Sequence, residues 1–173
     1  MLQIRKITLK LSIYPNFSYV FFTGLFRLFC NQNKVQSLYD NSSYHNELRL
    51  TAAAPLHFPL EKKPYVIKLS AAYHAEGSLT ITAFGRDVQL NFSENTLKLG
   101  DRSAPLSYDR TSLDLTLVID RCSIECYADG GKVYMGSVDA YTVSDYNLPR
   151  LVLRTTADMT LDSLALHSLN SIW

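Results

Sequence analysis

The sequence predicts an all-β fold, a sandwich or barrel, with two antiparallel sheets packed face to face as a β-sandwich the favoured form. Three observations predict it. Apolar residues fall at every second position through most of the chain from Leu48 onward. Turn-forming residues interrupt that rhythm roughly every 8 to 12 residues, and no stretch shows the 3.6-residue apolar period of an amphipathic helix. Many strands have one wet and one dry side, which suits two facing sheets with solvated outer surfaces.

The elements follow in order. Residues 1–30 do not fit the rhythm: Arg5, Lys6 and Lys10 precede an apolar run from Leu11 to Cys30 that includes Phe17, Phe21, Phe22, Phe26 and Phe29. Pro15, Asn16 and Arg27 leave about ten uninterrupted apolar residues, where a membrane-spanning helix needs roughly 20. No small-x-small cleavage site follows, and the residues before Cys30 are too bulky for a lipoprotein site. The expectation is an irregular apolar arm, either a targeting segment or the remnant of a preceding module, with the compartment open between cytoplasmic and secreted or periplasmic. Residues 31–47, rich in Asn and Ser, read as a linker, so the sandwich is expected over residues 48–173 and a chain trimmed to begin near Ser43 is expected to keep it.

Within the sandwich, Tyr65, Ile67, Leu69, Ala71 and Tyr73 alternate with polar residues, Glu76-Gly77 turns the chain, and Leu79, Ile81 and Ala83 follow. Gly85-Arg86-Asp87 is read as the next turn, before Val88, Leu90 and Phe92. Ser93-Glu94-Asn95 turns again into a short strand with Leu97 and Leu99, and Gly100 to Thr111 is read as a looser link. Residues 113–138 form the central meander. Leu113, Leu115, Leu117 and Ile119 occupy odd positions, whereas Cys122, Ile124, Cys126 and Ala128 occupy even ones. A one-residue slip inside one strand would turn the second set to solvent, so a turn is required at Asp120-Arg121. Asp129-Gly130-Gly131 marks the next reversal, because glycine reaches positive φ without steric penalty. A polar loop, Asp139 to Pro149, then separates the meander from strands near Leu151 to Arg154 and from Thr160 on.

Composition narrows function. A net charge of +1 gives no electrostatic basis for a nucleic-acid partner. Cys122 and Cys126 lie four residues apart on one strand, with Cα atoms about 13 Å apart, whereas a disulfide needs them within about 7 Å. The reading is two small buried hydrophobes. His45, His57, His74 and His167 are dispersed and belong to no nucleophile pattern, and no phosphate loop, dinucleotide fingerprint or calcium loop occurs. No cofactor and no metal site is expected. Eleven tyrosines suit strands whose rings pack while their hydroxyls stay wet, and Tyr108, Tyr127, Tyr134, Tyr141 and Tyr146 are candidate sugar-stacking residues, with Tyr127, Tyr134 and Tyr141 foremost.

The run Ile119-Asp120-Arg121-Cys122-Ser123-Ile124-Glu125-Cys126-Tyr127-Ala128-Asp129-Gly130-Gly131 resembles the Val-Asp-Arg-Ser-Ser-Ile-Glu-Val-Phe-x-Asn-Asp-Gly signature in the C-terminal sandwich of glycoside hydrolase family 32, the β-fructofuranosidases that include invertases, inulinases and levanases. It departs at Cys122, Cys126 and Tyr127. The last residues, Leu164 to Trp173, resemble the family's closing strand. The resemblance implies a lectin-like sandwich of the concanavalin kind, structural roles for Asp120, Arg121, Ser123, Glu125, Tyr127 and Gly131, and a catalytic propeller domain as partner. It also implies that catalytic residues lie in that propeller. This chain has no Trp-Met-Asn-Asp-Pro-like nucleophile motif; Arg86-Asp87 is followed by Val88 where the family's stabiliser has Pro, and Glu125-Cys126 falls inside the sandwich signature. No catalytic residue is therefore expected here. The function implied is a non-catalytic module supporting a propeller that acts on sucrose or fructans. The alternative is an autonomous carbohydrate-binding module. A fructan or other glycan, and a second copy of the chain, are further candidate partners.

Overall fold

Strand alternation puts Leu113, Leu115, Leu117 and Ile119 on one side of the chain, and that side is the core. In a computed structural model, residues 36, 38–72, 76–106, 112–120, 123–138 and 150–170 are described, and all but Gln36 belong to the unit Leu38–Trp173. The apolar arm, Arg121, Cys122, Tyr73, Tyr108, Tyr141, Tyr146 and Trp173 lie outside the described residues.

The described residues form twelve strands: β1 (Tyr39–Leu50), β2 (Leu56–Pro59), β3 (Tyr65–Ala72), β4 (Ser78–Ala83), β5 (Arg86–Asn91), β6 (Thr96–Leu99), β7 (Arg102–Pro105), β8 (Ser112–Ile119), β9 (Ser123–Ala128), β10 (Val133–Val138), β11 (Arg150–Thr155) and β12 (Met159–Leu169). They make two antiparallel sheets of six strands each. The first has the order β1-β12-β3-β8-β9-β10 and the second β2-β11-β4-β5-β6-β7. The inner face of the first presents Ile67, Leu69, Leu115, Leu117, Ile124 and Leu164, and that of the second Leu79, Ile81, Val88, Leu90, Leu97 and Leu151, all in one buried cluster. The sandwich expected from alternation is the fold observed.

The central meander has the expected shape. Ile119 pairs with Ile124 across the first hairpin, and the backbone N–H of Asp120 donates to the carbonyl of Ser123 at 2.9 Å. The second reversal is a single 3-10 turn, Asp129–Gly131, in place of a two-residue turn, with φ of 62° at Asp129, 60° at Gly130 and 88° at Gly131. Three successive left-handed residues explain the Gly-Gly pair. A different device resets the phase in β12. Leu161 pairs with Ala71 and Ser163 with Ser70, so Asp162 is an extra residue, a β-bulge. The bulge moves the inward set from Met159 and Leu161 to Leu164 and Leu166. Opposite it in β1, Glu47 adopts a φ of 53°.

Three expectations need correction. The stretch read as linker contains β1, a twelve-residue strand paired with β12 from Tyr39↔Leu169 to Leu50↔Met159, so strand structure begins at Tyr39 and not at Leu48. As an edge strand it buries little of itself, and its polar sequence hides it. The turn placed at Gly85-Arg86-Asp87 sits one residue earlier: Phe84 and Gly85 make it, with φ of 49° and 79°, and Arg86 and Asp87 open β5. Phe84 tolerates that conformation while its ring is fully buried beside Tyr65. The link from Gly100 contains β7, paired with β6. Its shortness and Pro105 blunt a sheet edge.

Trimming the chain at Ser43 therefore cuts β1 in half. A chain beginning at Leu48 is expected to melt more than about 10 °C below the full chain, whereas one beginning at Leu38 stays within the 2 to 4 °C that roughly 1 kcal/mol is worth at this size. Thermal unfolding followed by circular dichroism checks both.

Candidate functional site

Because β8, β9, β10, β3, β12 and β1 are laid side by side, their outward residues line up across the first sheet in rows. One row runs Ser42, His167, Val66, Val118, Glu125, Gly136; the next runs Tyr44, Ala165, Lys68, Thr116, Tyr127, Tyr134. The first row is nearly sealed: His167, Val66 and Val118 are buried on the outward side, and Glu125 is only 9% exposed. The second is wetter, with Tyr44 at 68% and Tyr134 at 42% exposure bounding it on either side.

Towards the β10 edge, the Tyr127 hydroxyl donates to Glu125 Oε2 at 2.5 Å, and the Tyr127 and Tyr134 rings lie 5.0 Å apart, tilted by 41°. Burial and the adjacent carboxylate push the Tyr127 phenol well above its ordinary range, so it stays a donor. Alternation puts Glu125 on the outward face, and its carboxylate is held there by this phenol. Gly136 shapes the spot. A Cβ there would lie 2.7 Å from Tyr134 Oη, so the absence of a side chain lets the Tyr134 ring lie down along its own strand. The structure thus brings Glu125, Tyr127 and Tyr134 together, while Tyr141 and Arg121 lie outside the described residues. Ser123 begins β9, and Asp120 and Gly131 lie in the two reversals of the meander. Gly136 was not singled out by sequence; only its position two residues after a strand tyrosine hints at it.

Towards the β1 edge a second aromatic group forms that the sequence did not reveal. Tyr39 stacks on His167 at 4.0 Å with an interplanar angle of 9°, Tyr44 meets the same ring edge-on at 5.5 Å, and Ser42 Oγ and His167 Nδ1 share a hydrogen bond at 2.8 Å. These residues are over a hundred positions apart in sequence, and pairing of β1 with β12 alone unites them. Desolvation, and then the Lys68 ammonium on the same face, lower the His167 pKa below 6.5.

The paired-carboxylate geometry of a retaining glycosidase is not formed by Asp87 and Glu125. Asp87 accepts from Thr82 Oγ1 at 2.6 Å on the outward face of the second sheet, whereas Glu125 lies on the outward face of the first. Two sheets packed about 10 Å apart separate them, where retaining hydrolysis needs roughly 5 Å. Cys126 points into the core, where burial pushes its thiol up to about 12. Among the described residues no three His, Cys, Asp or Glu side chains gather closely enough to hold a metal ion.

Fold and face define a class: an antiparallel β-sandwich module with a tyrosine-bearing outer sheet. The chain belongs to the glycosyl hydrolases family 32 C-terminal family, whose model matches residues 31–138. No curated protein matches it by sequence. Among solved structures it is similar to the exo-inulinase of Aspergillus awamori, with a TM-score of 0.62 and 17% identity over 80% of this chain and 31% of that one. It is also similar to the β-fructofuranosidase of Schwanniomyces occidentalis, with a TM-score of 0.62 and 13% identity over 79% and 35% of the two chains. The sucrose-6-phosphate hydrolase of Lactobacillus gasseri gives a TM-score of 0.57 and 18% identity over 80% and 30%. At these identities the likeness shows a shared fold. The chain spans about a third of the length of each.

The His167 cluster makes a pH prediction. The lowered folded pKa means that, as pH falls through 6.5, the unfolded chain binds a proton that the folded one refuses. Stability is unaffected by this group at higher pH, and declines with falling pH until the folded pKa is passed. Thermal unfolding from about pH 7.5 to about pH 5.5 should show a smaller loss of Tm for His167→Gln than for the unaltered chain. An equal loss would mean that the ring is not held neutral.

Proposed function

We propose that this chain is a non-catalytic sandwich module that supports the catalytic propeller domain of a family 32 enzyme acting on sucrose or fructans. The observation that carries the reading is the family match over residues 31–138, which includes the whole meander, in a chain without the family's nucleophile motif. Chains similar in fold include an exo-inulinase and β-fructofuranosidases, and the present chain corresponds to about a third of each. A sandwich suits support: its outer sheet face is stiffened by cross-strand pairs and presents a broad, partly sealed surface. The purified chain alone is expected to release no fructose from sucrose, inulin or levan, and measurable turnover overturns the reading.

A specific observation favours a second reading, glycan contact at the Tyr127–Tyr134 pair. An exposed aromatic face beside a fixed carboxylate can stack on the C–H surface of a sugar ring while Glu125 accepts a hydroxyl. Calorimetric titration with levan or inulin oligosaccharides should show binding that Tyr134→Ala weakens. Gly136→Ala should weaken it about tenfold, because the new Cβ drives the Tyr134 ring from its place at roughly 1.4 kcal/mol or more of binding. A chain that binds equally well with both substitutions does not use this pair.

A further inference from the structure

The two sheets part at the edge formed by β1 and β2, and the gap is a built cleft. It has a volume of about 270 Å³ and is lined from the first sheet by Asn41, Ser43, Tyr65, Leu166 and Ser168, and from the chain leaving β2 by Pro59, Leu60 and Glu61. Its position follows from register. Asn41 and Ser43 pair with Ser168 and Leu166, whose inward phase the bulge at Asp162 has set, so these positions face the second sheet at its open side.

Three features define what the cleft can hold. Ser168 lines the cleft and is 2% exposed, and its buried hydroxyl finds no hydrogen-bond partner among the described residues. A buried hydroxyl without a partner is a standing penalty that a ligand hydroxyl would relieve. Next, the Tyr65 hydroxyl accepts from the Glu61 backbone N–H at 3.0 Å, which leaves the phenol's own hydrogen to donate. The Glu61 carboxylate, finally, shares the Lys63 ammonium with Asp40, each at 2.7 Å, which leaves the three groups with one net negative charge. The lining therefore offers hydroxyl and amide groups and one ion-paired carboxylate over an apolar floor of Leu60 and Leu166, with no unbalanced positive charge to attract an anion. In size it matches roughly nine waters at about 30 Å³ each, just under the range of about 300 Å³ at which pockets for drug-sized ligands begin.

We infer that this cleft binds one neutral polyhydroxylated ring, a monosaccharide unit, whose hydroxyl meets Ser168 while its C–H face lies on Leu60 and Leu166. The inference does not depend on the enzyme reading, and the cleft stands at the opposite edge of the first sheet from the Tyr127–Tyr134 pair.

The test uses the full chain, titrated by calorimetry with fructose, glucose and sodium sulfate up to about 100 mM, which covers the millimolar affinities expected of a single ring. Binding of either sugar and none of sulfate is expected. Ser168→Ala should weaken the sugar roughly fivefold, the worth of one hydrogen bond, while leaving the unliganded Tm equal or higher, because it deletes an unsatisfied group. Ser43→Trp, at an exposed strand position, should block the cleft and abolish binding. Tyr134→Ala should change nothing. The inference is overturned by any of four results: no sugar binding, sulfate binding that competes with sugar, sugar binding indifferent to Ser168→Ala and Ser43→Trp, or sugar binding lost with Tyr134→Ala, which would place it on the other edge. A Tm lowered by Ser168→Ala would show that the hydroxyl is already satisfied, and would overturn it too.

Discussion

Everything in this fold depends on one constraint: a strand in a sandwich must keep its apolar side on the core, and with a two-residue repeat there is no partial error. Among the described residues the chain changes phase several times, and backbone devices match the changes. Between β8 and β9 the odd-numbered inward set becomes an even-numbered one across a hairpin closed by Asp120 and Ser123. Between β9 and β10 the left-handed run Asp129–Gly131 returns the inward position to Val133 and Met135. Phe84 and Gly85 turn β4 into β5. Within β12 the extra residue Asp162 moves the inward set by one, and β1 follows through the left-handed Glu47. Without that last device Leu164 and Leu166, or else Met159 and Leu161, would face water.

The legible part of the fold is the part in which local sequence and local phase suffice. The meander could be placed almost to the residue because the slip from Ile119 to Ile124 and the Gly130-Gly131 pair are visible in sequence. β1 was hidden because an edge strand is paired on one side and packed sparsely. Its Asn and Ser residues are those of a linker, and only the distant β12 makes it a strand. β7 was missed for the same reason. The buried state of Glu125 was equally illegible: alternation correctly puts it outward, but its closeness to Tyr127 and to Gly136 on the next strand, which set its environment, are tertiary facts. Phe84 shows the converse, a bulky residue in a left-handed turn position that propensity would assign to glycine, held there by complete burial of its ring.

The outward face of the first sheet has an internal logic of its own. Where Val66 and Val118 pair, two β-branched side chains pack across the strands, and the polar residues on either side of them, His167 and Glu125, are each satisfied from within the face, by Ser42 and by Tyr127. Each polar end of the sealed row thus has one of its polar atoms bonded within the face, which offsets part of the cost of burying it. The exposed aromatics, Tyr44 and Tyr134, stand one row away towards the two sheet edges. A face arranged in this way is buried in the middle and exposed at its margins.

That geometry also bears on what chemistry each part of the surface can perform. Side chains on a flat sheet face stand side by side and approach a ligand from one direction, whereas glycoside hydrolysis needs carboxyl groups that flank the scissile bond. Glu125 is committed to a neighbouring phenol and Asp87 to Thr82, on opposite sides of the core. What an outward strand surface does offer is stacking and hydrogen bonding from a single side, as at Tyr134. Groups drawn from more than one element converge where the sheets part, as they do at the β1 and β2 edge around Ser168. Side chains from several elements thus meet at the margins of this scaffold, whereas its faces present theirs from one direction only.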